Sequence, residues 1–303
     1  MKIGVNSQLI KEISDGPIQA KEVELIELSM KHSNVLNGTI DYGRLKEIRS
    51  LGTRFTVHAP YAKNGQPGVD LGIRQGRNIE IMEKVFEITS FLDAEYVVIH
   101  GDKVNGDYRK SFLNLIHNLT QLTEMAEEYQ VTLLLENLHK ENGFDRMGIL
   151  PHEILQAVEL VNKENLKIVF DVGHGNLTAS LYKFDILEFL DYLSPYIHHM
   201  HIHDNLGIPA TVDERYGDQH LPLGQGVINF NRIFRRIQET KTKNLILELK
   251  TKSREEALKS IEILKELRDG ELRRYNENLG FISVKKIGEG IVNLNTPPEA
   301  IKI

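Results

Sequence analysis

The chain has 303 residues, 41% of them hydrophobic and 26% charged, which is an ordinary globular composition and suits one large α/β domain. Its lack of cysteine excludes disulfides, thiolate ligands and a cysteine nucleophile. The formal charge of -6 argues against a polyanionic partner, but three divalent ions in a carboxylate-rich site would add about +6 and bring the protein near neutrality.

No run approaches the roughly 18 apolar residues of a membrane span, and MKIGVNSQ opens as a first strand rather than a signal peptide, so the expected location is cytoplasmic, with no membrane partner. Short apolar runs then alternate with longer amphipathic segments. The strand candidates are KIGVN from Lys2, VELIELS from Val23, FTVHA from Phe55, YVVIH from Tyr96, VTLLLEN from Val131, LKIVFDV from Leu166, IHHMHIH from Ile197 and NLILELK from Asn244. They are rich in Val, Ile and Leu, as strands covered on both faces should be.

Helical patterns are clearest over 72–93, 108–130, 151–162, 229–240 and 253–268, with Pro151 suited to a first helical turn. Strands alternating with helices over about 270 residues predict a single (β/α)8 TIM barrel over 1–269. A doubly wound sheet is the alternative, but nothing like GxGxxG follows the first strand. Residues 270–303 break the pattern and form a short C-terminal extension, in which ISVKKIGEGIVNL suits a hairpin and NTPPEAIKI a loose tail.

Chemistry gathers where the strands end. In the extended stretch from Ile197, His199, His201 and His203 share one face, and a face of several imidazoles makes a poor apolar core because each ring nitrogen needs a partner. Asp218 and His220 follow, two residues apart. Strand ends also carry His58, His100, Glu136, Asp171 with His174 close behind, and Glu248. In a barrel these positions converge on the C-terminal mouth. Four carboxylates packed there repel unless cations sit among them, and imidazole with carboxylate is the donor set of zinc, manganese and iron(II).

Taken together, HAPY from His58, VVIHGD, LLLEN, FDVGH, HIHDN, the D-x-H before LPLGQG, and LELK resemble the endonuclease IV and xylose isomerase-like superfamily, in register to about Lys250. In the endonuclease IV branch nine ligands hold three zinc ions. The resemblance implies that His58, His100 and Glu136 hold one ion. Glu136, shared as a bridge, holds a second with Asp171, His201 and Glu248, and His174, Asp218 and His220 hold a third. It implies a phosphodiester hydrolase acting on a phosphate-containing substrate, with damaged (abasic) DNA as the candidate partner. In the hydrolase Glu136 would bridge metals and position the nucleophile, whereas in an isomerase Glu136 and Glu248 would shuttle a proton; Tyr61, Asn137 and His203 are expected against substrate. His198, His199 and His203 are also expected as partners that orient ligand rings.

The other branch implies a metal-dependent sugar or sugar-phosphate isomerase or epimerase. One ion, manganese or another divalent metal, would sit on a core like Glu136, Asp171, His201 and Glu248, and HDNLG with HLPLGQGVINF looks much like that branch. VNSQLIKEISDGP and SMKHSNVLNGTIDYGR lack the DNA-inserting loops of the nuclease branch, and no dense basic stripe with interleaved aromatics is present. The ligand count nevertheless puts the hydrolase first, because His58, His100, His174 and His220 have no role in a one-metal isomerase.

Overall fold

The computed structural model describes residues 1–11, 18–30, 40–62 and 68–270. Eight strands, β1 (Lys2–Asn6), β2 (Leu25–Ser29), β3 (Arg54–His58), β4 (Tyr96–His100), β5 (Thr132–Glu136), β6 (Leu166–Asp171), β7 (Ile197–Ile202) and β8 (Asn244–Leu247), close into a barrel in chain order. Every neighbouring pair is parallel, and β1 pairs with β8 through Ile3 against Leu245. The expected (β/α)8 barrel is therefore the fold.

The strands close because they are apolar on both faces. Outward residues such as Ile3, Val5, Val97, Leu133, Ile168 and Phe170 pack under the helices, and Phe170 meets Phe189 edge to face with ring centroids 5.4 Å apart. Tyr96, Val98, Leu134 and Val169 form a separate apolar cluster that fills the barrel beneath the site. Alternate residues share a face, so His100 follows Val98 inward, Glu136 follows Leu134, and Asp171 follows Val169.

Among the described residues the helices are α1 (Ser7–Lys11), α2 (Tyr42–Arg49), α3 (Gly76–Phe91), α4 (Tyr108–Glu128), α5 (Pro151–Val161), α6 (Val172–Tyr182), α7 (Ile186–Leu193), α8 (Phe230–Ile237) and α9 (Arg254–Asp269), with a 3-10 turn at Ala20–Glu22. The five helical patterns seen in the sequence all form, and Pro151 opens α5. Four of the described helices lie outside those patterns: α1, α2, α6 and α7. α6 starts directly from β6 with VGHGN and is buried nearly all round its first turns, so it shows no apolar stripe. The hairpin and tail expected in 271–303 lie outside the described residues.

Candidate metal centre

β4, β5, β6 and β7 deliver their ends in register, His100 beside Glu136 and Asp171 beside His201. Glu136, 1% exposed, sits in the middle, and its two oxygens face different partners. Oε2 lies 2.9 Å from His100 Nε2 and 3.3 Å from His58 Nε2. Oε1 lies 3.3 Å from His201 Nδ1 and 3.4 Å from His174 Nδ1. His201 Nδ1 also has Asp171 Oδ2 at 3.8 Å and Glu248 Oε1 at 3.9 Å.

Asp171 divides its labour. Its Oδ1 caps α6 by accepting the backbone N–H of His174 at 2.7 Å, which carries that imidazole into the centre. Its Oδ2 is buried without a hydrogen-bond partner, aimed at His201 and His174. Asn137 clamps the same corner, accepting from the Asp171 backbone N–H at 2.6 Å and donating to its carbonyl at 2.9 Å, while its own carbonyl faces His174 Nδ1 at 2.9 Å.

Asp218 and His220 come from the long loop after β7. Asp204 holds that loop with one carboxylate that accepts four backbone N–H groups, from Asn205, Gly224, Gly226 and Ile228, at 2.9–3.2 Å. Gly226 passes so close that a Cβ there would stand 2.2 Å from Asp204 Oδ1. His220 takes the left-handed backbone conformation, φ +49°, uncommon outside glycine. Its Nδ1 meets the Glu248 carbonyl at 2.7 Å and its Nε2 meets Asp218 Oδ2 at 2.6 Å. Asp218 Oδ1 is 3.8 Å from His174 Nε2.

The charge balance of these groups is internal. Burial pushes the Glu136 carboxyl up, but the charges of His100 and His201 override it and hold it well below the usual carboxylate range. Burial pushes His100 down to about 4, and its Glu136 partner does not recover it. Burial also opposes the charged forms of His58 and His174, yet Glu136 raises the first to about 9, and Asp171 with Asp218 raises the second to about 10.

The donor set fits divalent cations. Among the described residues four clusters bring their ligand atoms within 4.8 Å of one another: His58, His100, Glu136; Glu136, Asp171, His201; His174, His203, Asp218, His220; and Glu27, His199, His201. Glu136 Oε2, Asp171 Oδ2 and Asp218 Oδ1 are buried carboxylate oxygens without a hydrogen-bond donor, which a cation would satisfy. All nine residues expected as ligands thus come together, Glu248 by its contacts with His201 and His220.

Above them opens a cavity of about 600 Å³, walled in part by Tyr61, His139, Arg146, Glu248 and Lys250. Tyr61 stands where a substrate contact was expected, its ring stacked on His100 at 4.3 Å. Asn137 and His203 do not. Both are fully buried and neither lines the cavity. Asn137 is spent on the Asp171 backbone. His203 lies 3.1 Å from Asp171 Oδ1 and stacks against His220 at 4.0 Å, so its geometry matches the other expectation, a partner that orients ligands. Gly173 makes room for it, since a Cβ there would stand 1.9 Å from the His203 ring.

Sequence reasoning missed Glu27, Arg146 and Asp204. Glu27 carried a usable signal, a lone carboxylate flanked by Ile26 and Leu28 in an otherwise apolar strand. Arg146, paired with Glu141 at 2.8 Å, carried none, because nothing in its loop fixes where it points.

A family profile described as xylose isomerase-like TIM barrel matches residues 38–267. The uncharacterized protein MJ1311 of Methanocaldococcus jannaschii is 32% identical over 73% of this chain and 74% of its own length. Among solved structures, a D-tagatose 3-epimerase-like protein is 27% identical, covers 91% of this chain and 100% of its own, and has a TM-score of 0.72. An L-ribulose 3-epimerase shares the fold at 17% identity, with a TM-score of 0.65 over 91% of this chain and 97% of its own.

Proposed function

We propose that this chain, which belongs to the xylose isomerase-like TIM barrel family, is a divalent-metal-dependent isomerase or epimerase of a sugar or sugar phosphate. The observation that carries this reading is the convergence of Glu136, Asp171, His201 and Glu248 from β5, β6, β7 and the residue after β8, beneath a cavity of about 600 Å³. That volume lies within the range of about 300–1,000 Å³ typical of small-molecule sites. The 27% identical D-tagatose 3-epimerase-like structure supports it over nearly the whole chain.

A divalent cation in this donor set would polarise a substrate carbonyl and make the neighbouring C–H acidic. Glu248 lines the cavity and is the carboxylate set to take that proton. Glu136 reaches the same centre from a strand three places away round the barrel, 3.3 Å from the His201 nitrogen that Glu248 approaches at 3.9 Å. Return of the proton from a second carboxylate inverts the carbon, whereas return to the adjacent carbon moves the carbonyl. Tyr61 and His139 close the wall and limit water around the reacting carbon.

A second reading, phosphodiester hydrolysis at two or three zinc ions with abasic DNA as one substrate, is favoured by one observation. The two oxygens of Glu136 belong to different donor groups, and His174, Asp218 and His220 form a third beside them. The test is to load the protein with manganese or zinc and assay it on a panel of ketoses and ketose phosphates, and on an abasic-site duplex. Ketose interconversion that a chelator abolishes supports the isomerase; duplex cleavage with every ketose inert transfers the assignment to the hydrolase.

A further inference from the structure

Glu27 is fully buried in the middle of β2, below the centre, and the proposed reaction does not use it. A carboxylate in such a strand is tolerated only with partners. Its Oε1 lies 2.9 Å from His201 Nε2 and its Oε2 lies 3.0 Å from His199 Nε2, close charge contacts that stand off the line of a hydrogen bond, while Oε2 accepts a hydrogen bond from Thr56 Oγ1 at 3.0 Å. On the far side of His199, Asn244 Nδ2 faces Nδ1 at 3.4 Å. An amide nitrogen only donates, so the His199 proton belongs on Nε2, against Glu27.

Three of the other rings of the centre share an arrangement, whereas His100 Nδ1 is buried without a hydrogen-bond partner. His58, His174 and His220 turn Nδ1 to a backbone carbonyl, those of Ala59, Asn137 and Glu248, at 2.9, 2.9 and 2.7 Å. A proton on Nδ1 leaves Nε2 as the free lone pair in each. His201 is inserted the opposite way, with Nδ1 toward Glu136, Asp171 and Glu248 and with Nε2 pointing down the barrel. A carboxylate meets that Nε2 where the other three rings have a carbonyl.

We infer that Glu27 is a positioning residue that keeps the His201 proton on Nε2 and so presents Nδ1 to the metal, an inference that rests on reading the centre as a divalent-metal site. Such outer partners fix ring orientation and the tautomer, and losing one typically lowers metal affinity about 10–100-fold.

Glu27→Gln separates this role from simple packing. Oε2 receives both Thr56 and the His199 side, so the amide oxygen stays there and the NH2 group turns to His201. A donor at Nε2 forces the ring proton to Nδ1, into the ligand set. The experiment titrates wild type and E27Q, both as the full chain, with Zn²⁺ against a competing chelator, and records long-range ¹H–¹⁵N histidine spectra of the zinc-loaded proteins. Expected are a wild type with His201 protonated on Nε2 and an E27Q that melts cooperatively but binds zinc about 10–100-fold more weakly. Equal affinity with an unchanged His201 tautomer overturns the inference. Should E27Q not fold, the wild-type spectrum decides: a His201 proton on Nδ1, or zinc density lying between Glu27, His199 and His201 in an anomalous map, overturns it. A wild type that takes up no zinc removes the metal reading itself, an outcome distinct from a wild type and E27Q that bind alike.

Discussion

His58 and His174 govern how the centre responds to pH. In the metal-free protein burial works against their charged forms, but Glu136 beside the first and Asp171 beside the second lift them from 6.5 to about 9 and about 10. A folded-state value above the unfolded one adds stability that is complete below pH 6.5 and is lost as pH rises through the folded value. The melting temperature of metal-free protein should therefore fall between about pH 6.5 and 10, measured by calorimetry across that range. Both rings must shed a proton to bind a cation, so metal uptake at pH 7 should release protons and tighten with rising pH. Calorimetric titration in buffers of different ionisation enthalpy reads that release, and heats independent of buffer would contradict it. Glu248 carries the proposed chemistry at this scale. Glu248→Gln should lower turnover by about 10²–10⁴ on whichever ketose proves to be the substrate, with metal content measured alongside to separate catalysis from binding.

The loop after β7 is the element on which the third donor group depends. Asp204 bonds four of its backbone N–H groups, and its amide and carbonyl pair with those of Leu221, next to His220. Gly226→Ala would drive a Cβ into Asp204 Oδ1 and the Asn205 carbonyl. A destabilisation of about 1–3 kcal/mol in urea unfolding is expected, with loss of whatever cation His174, Asp218 and His220 hold before the Glu136–Asp171–His201 group is affected. An alanine variant with wild-type stability and metal content would show that the loop is held by something else. The elements themselves were largely readable, for a physical reason: strands covered on both faces must be continuous Val, Ile and Leu, and the polar residue that ends such a run marks the barrel mouth. That pattern located His58, His100, Glu136, Asp171 and His201. It could not give depth. Asn137 and His203 neighbour ligands in sequence, and only the way β5 and β7 meet α6 shows that both are buried beneath the site. Helix α6 escaped because burial on several sides erases the amphipathic stripe by which a helix is recognised.

Over the whole molecule, the closed barrel brings donors from six strands to one mouth, and the same closure ties metal binding to stability. A cation that binds only the folded chain stabilises it by about 2.7 kcal/mol at a hundredfold excess over Kd. Thermal midpoints should accordingly climb with added zinc or manganese, and midpoints unmoved by saturating metal would contradict a native metal centre. The chain's function was less legible than its fold. Residue types reveal how many donors converge, which put the multinuclear hydrolase first, but not what the cavity admits. The comparisons instead favour the isomerase, and the structure adds a cavity with Glu248 in its wall. The proposed reaction requires a proton to leave a carbon beside a carbonyl, and solvent-isotope exchange reads that step. The metal-loaded protein is incubated in D2O with ketoses and ketose phosphates and followed by ¹H NMR. Deuterium appearing at a carbon adjacent to the carbonyl, abolished in Glu248→Gln, is the predicted result; no exchange in any of these sugars by a metal-loaded protein that hydrolyses phosphodiesters would contradict it.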